Sequence, residues 1–136
     1  MPSDEMPTFR TILVGTDGST RAARAVEQAA DLAQTLDAAL HIVQAHDDVD
    51  AVGGGLEALA TSLRDRGVTA EAHPVSGRPV PAILEAAAAV GADLIVVGNR
   101  GMTGARRILG SVPNTLAHQA SCAVLIVHTE TSPPVG

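Results

Sequence analysis

Short apolar runs that alternate with helical segments are the feature that most restricts how this chain can fold. Residues 11–14, 93–97 and 123–127 consist mostly of branched aliphatic side chains. Strands that are apolar on both sides are typical of a parallel sheet buried between helices. Two further strands are predicted at 40–45 and 68–75, and the alternating pattern of the second indicates an exposed edge strand.

Four segments between these strands have apolar residues at helical spacing. They are residues 19–36, 56–67, 80–90 and 112–119. Ser19 or Thr20 is the predicted N-cap of the first helix, and residues 46–55, with three consecutive glycines, are predicted to form a loop.

The order β-α-β-α-β-α-β-α-β predicts an α/β fold, a doubly wound five-stranded parallel sheet with helices on both faces. We expect one domain over residues 1–136, with loose tails at 1–8 and 130–136. In such sheets, ligands bind at the carboxyl ends of the strands, where the strand order reverses. If the first and fourth strands are neighbours, the loops that follow them face one crevice.

The loop after the fourth strand combines glycines with positive charge. Gly98 and Gly101 enclose Arg100, and eight residues separate Gly101 from Gly110 and Ser111. No residue between 94 and 129 is acidic, although the whole chain has a formal charge of −6. A glycine-rich loop that leads from a strand to a helix N-terminus presents N–H groups to a phosphate.

We therefore interpret this loop as an anion site. In this interpretation, Ser111 Oγ and the N–H groups of Val112 and Asn114 bind phosphate, helped by the helix dipole. The alternative is that Ser111 only caps the helix and the glycines only make tight turns. Arg100, between the first two glycines, is placed to reach the phosphates, whereas Arg106 and Arg107 either reach them or form a solvated basic turn.

Composition argues against several other functions. Phe9 is the only aromatic residue, which disfavours base stacking, and the net charge of −6 disfavours binding to nucleic acid or anionic membranes. All nine basic residues are arginines, so a phosphate-binding or Schiff-base lysine is excluded. The five histidines show no metal-ligand spacing, and no metal site or catalytic group is predicted from them.

The expected location is the cytoplasm. Cys122 is the only cysteine, so no disulfide can form within the chain, and we expect it to be a small buried residue rather than a nucleophile. No apolar run approaches the roughly 20 residues of a membrane span, and the polar, acidic residues 1–7 do not resemble a signal peptide.

Motifs at both ends of the chain together resemble the universal stress protein family. They are Thr-Asp-Gly-Ser at 16–19, Val-Val-Gly-Asn-Arg-Gly at 96–101, Leu-Gly-Ser-Val-Pro at 109–113 and Cys-Ala-Val-Leu-Ile-Val at 122–127. The resemblance covers residues 9–129. ATP-binding members carry Gly-x-x-Gly, nine residues and then Gly-Ser or Gly-Thr; this chain is similar but has eight residues in between.

The resemblance implies a Rossmann-like fold, similar to that of the adenine nucleotide alpha hydrolases, and a regulatory protein that binds ATP or another adenine nucleotide with Mg²⁺. It implies that Gly15 and Thr16 line the base pocket and that Asp17 contacts the ribose and the metal-bridged phosphates. Ala45 would present its backbone to the adenine edge. Without the resemblance, an Asx turn or a helix cap is the simpler interpretation of Asp17.

The family commonly dimerises through its last strand, so the resemblance also implies a homodimer formed through the strand from Ala123 to Val127. Two other functions remain open at this point. One is a dimeric interaction module of the same fold that binds no nucleotide. The other is a slow ATP hydrolase in which Asp17 orients water or metal, which the absence of lysine and of an evident general base disfavours.

Overall fold

A computed structural model of the chain describes residues 9–99, 102–103, 106–107 and 109–128. The predicted tails at 1–8 and 130–136 lie outside these residues. Within the described part of the chain, every helix is too short or too polar to cross a lipid bilayer.

Seven strands and four helices follow one another along the described chain. They are β1 (Thr11–Gly15), α1 (Ala22–Leu36), β2 (Ala39–His46), α2 (Val49–Asp65), β3 (Thr69–Ser76), α3 (Pro79–Val90), β4 (Leu94–Asn99), β5 (Met102–Thr103), β6 (Arg106–Arg107), α4 (Ser111–Gln119) and β7 (Ala123–His128). Five strands form a parallel sheet in the order β3-β2-β1-β4-β7. This confirms the predicted doubly wound parallel sheet.

The core consists of two apolar layers, one on each face of the sheet. Successive residues of a strand point to opposite faces. Ile12 and Val14 therefore pack with buried residues of α1 and α2, whereas Leu13 packs with those of α3 and α4. Strand β1 is buried on both faces, which explains why its sequence is continuously apolar. Helices cover both faces of the sheet, as predicted.

Asp93 joins the amino-terminal ends of the two central strands. Its carboxylate oxygens accept hydrogen bonds from the backbone N–H groups of Arg10 and Thr11 at 3.0 to 3.2 Å. Its own N–H donates to the Thr11 carbonyl oxygen at 2.9 Å. These bonds fix the alignment of β4 with β1 at the ends where the two strands begin.

Helix α2 begins at Val49, so the prediction of a loop over 46–55 is wrong. Asp48 caps the helix, and its side chain accepts a hydrogen bond from the Asp50 N–H at 3.1 Å. The glycines lower helix propensity, but burial of Leu56 and the residues beyond it stabilises the helix. Tertiary packing thus overrides the local preference of three glycines.

The start of the first helix also differs from the prediction. The first helix begins at Ala22, and its N-cap residue is Arg21 rather than Ser19 or Thr20, although Ser19 Oγ still accepts a hydrogen bond from the Ala22 N–H at 3.0 Å.

The glycine-rich loop contains a short antiparallel strand pair, β5 with β6, that was not predicted. The sequence lacks an alternating apolar pattern there, so nothing in it indicated strands.

The glycines of α2 lead to a stability prediction. Gly54 is exposed, and a Cβ atom added there would have no heavy atom within 4 Å. Gly54→Ala should therefore raise the free energy of unfolding by about 0.5–1 kcal/mol, because alanine restricts the unfolded chain and favours the helix. Urea denaturation followed by circular dichroism measures the change.

Gly67→Ala is the matched control, because Gly67 has a φ of +92° in the turn after α2. This substitution should lower the free energy of unfolding by about 1–2 kcal/mol. A Gly54→Ala variant that is less stable than the wild-type protein would show that α2 does not include residue 54.

Candidate functional site

A cavity lies at the carboxyl ends of the two central strands, where the strand order reverses. Strand β1 pairs with β4, with Val14 opposite Val96, so the condition under which both loops face one crevice is met. The loops that follow both strands contribute to the wall of the cavity, whose volume is about 370 Å³. This volume lies within the range of pockets that hold small ligands, about 300–1,000 Å³.

Eight of the ten residues predicted for the site line this cavity. They are Gly15, Thr16, Asp17, Ala45, Gly98, Gly110, Ser111 and Val112. The other two, Arg100 and Gly101, lie outside the described residues, and so do the side chains of Arg106 and Arg107. The structure therefore brings together the residues predicted from the β1 loop, the end of β2 and the start of α4.

Part of the cavity lining is apolar and was not predicted. Val43, Ile83 and Val97 contribute to it, together with prolines of α3 and α4. Gly15 allows α3 to approach closely, since a Cβ atom on it would lie 2.8 Å from Ile83 Cδ1. A side chain at position 15 would therefore displace the end of the Ile83 side chain, which lines the cavity.

The turn between β1 and α1 forms the polar wall. The Thr16 N–H donates to the Val43 carbonyl oxygen at 3.0 Å, which joins this turn to β2. Asp17 Oδ1 accepts a hydrogen bond from the Ser19 N–H at 3.0 Å, so the Asx turn that the sequence left as an alternative is present. The Asp17 side chain is nevertheless exposed and lines the cavity. The turn orients this carboxylate without removing it from the site.

Arg21 is a lining residue that the sequence analysis missed. It is exposed, precedes the first turn of α1 and lies on the wall of the cavity. Its guanidinium is a permanent cation with several N–H donors, which suits an anionic ligand. The sequence did contain a signal for this position, since Arg21 is the only basic residue between the end of β1 and the start of α1.

Asn99 fastens the glycine-rich loop to the sheet. Its side chain is 1% exposed, and Oδ1 accepts a hydrogen bond from the Gly110 N–H at 2.8 Å. A Cβ atom on Gly110 would lie 3.1 Å from this oxygen, so the close approach favours glycine. The bond joins the end of β4 to the start of α4. A polar residue at the end of an apolar strand was the sequence signal for this role.

The start of α4 differs in detail from the predicted anion site. Gly110 is the N-cap and Ser111 is the first helical residue, so the alternative in which Ser111 caps the helix is wrong. The Asn114 N–H donates to the Gly110 carbonyl oxygen at 3.0 Å, which makes it unsuitable as a phosphate donor. The N–H groups of Ser111 and Val112 have no acceptor within the helix, and Pro113 has no N–H. Two backbone donors therefore remain at this end of the cavity.

Two histidines that are 32 residues apart in the sequence come together elsewhere in the fold. His41 Nδ1 lies 2.8 Å from His73 Nε2, and Glu71 Oε1 is close to both. Burial lowers the pKa of His41, His73 lowers it further, and Glu71 opposes this shift. The sequence contained both histidines in predicted strands, but only the pairing of β2 with β3 makes them neighbours.

Cys122 is partly buried just before β7. Burial raises the pKa of its thiol, and the negative charge of Asp93 raises it further. The thiolate is the nucleophilic form of cysteine, so these shifts disfavour a nucleophilic role at neutral pH.

Comparisons with known proteins agree with this fold. The family model of the Universal stress protein family matches residues 8–61 and 50–128 of this chain. The chain is 38% identical over 146 residues to universal stress protein Rv1636 of Mycobacterium tuberculosis H37Rv, which covers 91% of this chain and 99% of that protein. A universal stress protein of Thermus aquaticus is 39% identical over 135 residues, covering 88% and 98% of the two chains.

A solved structure supports the same assignment. The crystal structure of a universal stress protein in complex with cAMP superposes with a TM-score of 0.73 and 40% sequence identity. The superposition covers 90% of this chain and 99% of that one. The fold, the motifs and these relatives together show that the chain belongs to the universal stress protein family.

Proposed function

We propose that this chain is a cytoplasmic stress-response regulator whose cavity binds an adenine nucleotide, ATP with Mg²⁺ foremost. The observation that carries the proposal is the composition of the cavity, which combines apolar side chains with a carboxylate, an arginine and a helix N-terminus. A nucleotide has the same sequence of parts: a flat base, a hydroxylated sugar and an anionic end. The similar protein crystallised with cAMP supports an adenine ligand.

The base fits the apolar wall of Val43, Ile83 and Val97. Ala45 ends the same wall, where its backbone groups can pair with the polar edge of adenine. Because no aromatic side chain is available for stacking there, shape and backbone hydrogen bonds have to provide the selectivity. This arrangement favours a ligand with a purine ring over one without a base.

The phosphates fit the N-terminus of α4, which lines the same cavity. The N–H groups of Ser111 and Val112 point along the helix dipole toward an anion, and Arg21 adds a full positive charge. Asp17 is the one acidic residue on the described wall. Mg²⁺ is commonly bound by one or two carboxylates together with substrate phosphates and water, so a single aspartate suits the magnesium form of a nucleotide.

A charge placed at the start of α4 tests this proposal. Ser111→Asp should retain or slightly raise the stability of the ligand-free protein, because a carboxylate in the first turn interacts favourably with the helix dipole, by about 0.3–1 kcal/mol. The same carboxylate should repel phosphate and abolish the thermal shift that Mg-ATP produces. In the wild-type protein, ligand at 100 times its Kd should stabilise the fold by about 2.7 kcal/mol.

Ser121→Asp is the matched control, because Ser121 is exposed and does not line the cavity. It should leave the Mg-ATP shift unchanged. The proposal fails if the wild-type protein shows no shift at millimolar Mg-ATP, or if Ser111→Asp responds like the wild-type protein. The first result would favour an interaction module that binds no nucleotide.

We also infer that the chain forms a homodimer through β7. The two edge strands of the sheet differ in a way that favours this side. Strand β3 carries Glu71, His73 and Pro74, and charged residues and proline disfavour pairing with another strand. Strand β7 has the sequence Ala-Val-Leu-Ile-Val-His, and the Leu125 side chain is 39% exposed. An apolar edge of this kind is stabilised when a second copy covers it.

Leu125→Asp should therefore convert the dimer to a monomer, because the carboxylate would be buried without a partner at the interface. Size-exclusion chromatography with light scattering measures the mass in solution. Thr69→Asp, at an exposed position of β3, serves as the control and should leave the mass unchanged. A dimer that persists in Leu125→Asp but dissociates in Thr69→Asp would place the interface on the opposite edge.

A further inference from the structure

The pairing of β2 with β3 creates a cluster of three metal-ligating side chains. In the parallel register, His41 lies opposite Glu71, and His73 lies opposite Val43. Because side chains alternate along each strand, all three point to the same face of the sheet. Farther along the strands, α3 covers this face, and Val43 and Val75 are packed there. None of the three residues lines the nucleotide cavity.

The distances within this cluster fit a metal ion. His41 Nδ1, His73 Nε2 and Glu71 Oε1 are separated by 2.8, 3.4 and 3.8 Å. A circle through these atoms has a radius of about 2.0 Å, calculated from the same three distances. Zinc bonds to imidazole nitrogen and carboxylate oxygen are about 2.0–2.2 Å long, so a point close to the plane lies at bonding distance from all three atoms.

Tetrahedral geometry gives a second comparison. Bonds of about 2.05 Å at tetrahedral angles place ligand atoms about 3.3 Å apart. The three observed distances scatter around this value, from 2.8 to 3.8 Å. The shortest is a hydrogen bond in which one ring donates its N–H to the other. When a metal ion takes the place of this proton, the donor ring carries its proton on its other nitrogen. The two ligating nitrogens then need to separate by only about 0.5 Å, which follows from the same comparison.

The exposure of the three side chains suits a bound ion that stays accessible. The His41 and His73 side chains are 14% and 26% exposed, whereas that of Glu71 is 66% exposed. The histidines thus lie against the sheet, and Glu71 is the most exposed of the three side chains. Three protein ligands leave one position of a tetrahedral ion open to water.

We propose that His41, Glu71 and His73 bind one zinc ion on the surface of the sheet, separate from the nucleotide site. Two imidazoles and one carboxylate form a donor set that suits zinc, whereas Mg²⁺ and Ca²⁺ prefer oxygen ligands. The ion joins the edge strand β3 to β2 through side chains, in addition to the backbone ladder. Zinc therefore stabilises the edge of the sheet opposite β7.

Equilibrium dialysis of the full chain, without a purification tag and without nucleotide, tests this site. The wild-type protein should bind one zinc ion per chain, and zinc should raise its melting temperature, whereas Mg²⁺ should not compete. His41→Gln and His73→Gln should each weaken binding by more than 100-fold, because loss of a direct ligand exceeds the roughly 10–100-fold cost of losing a supporting residue. Glu71→Gln, at an exposed position, should weaken binding without affecting the fold.

His118→Gln is the matched control, because His118 is exposed on α4, away from this cluster. It should bind zinc like the wild-type protein, and so should Ser111→Asp, which keeps the result independent of nucleotide binding. Circular dichroism without zinc verifies that each variant is folded. The proposal is overturned if the wild-type protein binds no zinc, or if folded His73→Gln and Glu71→Gln bind it as tightly as the wild-type protein.

Discussion

The parallel pairing of β1 with β4 is the interaction on which the cavity depends. The strand order of the sheet reverses between β1 and β4. The connections that follow these two strands therefore lead away in opposite directions, and a crevice remains between them. Asp93 aligns the two strands at their amino-terminal ends, and Asn99 holds the loop at their carboxyl ends. The same two strands therefore determine both the core and the position of Asp17 relative to Ser111.

The described wall of the proposed nucleotide site holds no lysine and no aromatic side chain, so backbone groups, shape and the side chains of Asp17 and Arg21 have to provide its contacts. Small residues at close approaches shape this cavity: Gly15 lies beside Ile83, and Gly110 beside Asn99. Each glycine lets one segment of the chain approach another closely, and at Gly110 this approach allows the N–H to donate to Asn99 Oδ1. The functional importance of these glycines thus follows from the contacts that a side chain would disturb.

The sheet and its two layers of helices could be predicted from the sequence, because continuous apolar strands that alternate with helical segments are compatible with few folds. The glycine-rich loop indicated the α4 side of the cavity, whereas Gly15, Thr16 and Ala45 were implied only by the family resemblance. Prediction failed where packing or register decides. The three glycines of α2 are helical because Leu56 is buried, and Asn114 is engaged by Gly110 because α4 begins one residue before the predicted start. His41 and His73 are 32 residues apart and meet only through strand pairing, which spacing along the chain does not reveal.

An amide NMR titration with Mg-ATP tests whether two loops from neighbouring strands form one nucleotide site. We predict chemical-shift changes that saturate together at Thr16, Ala45, Gly98 and Val112. Amides of β3, such as that of Ala70, should remain unchanged. Changes confined to other elements, or an unchanged spectrum at saturating nucleotide, would show that these loops do not form such a site.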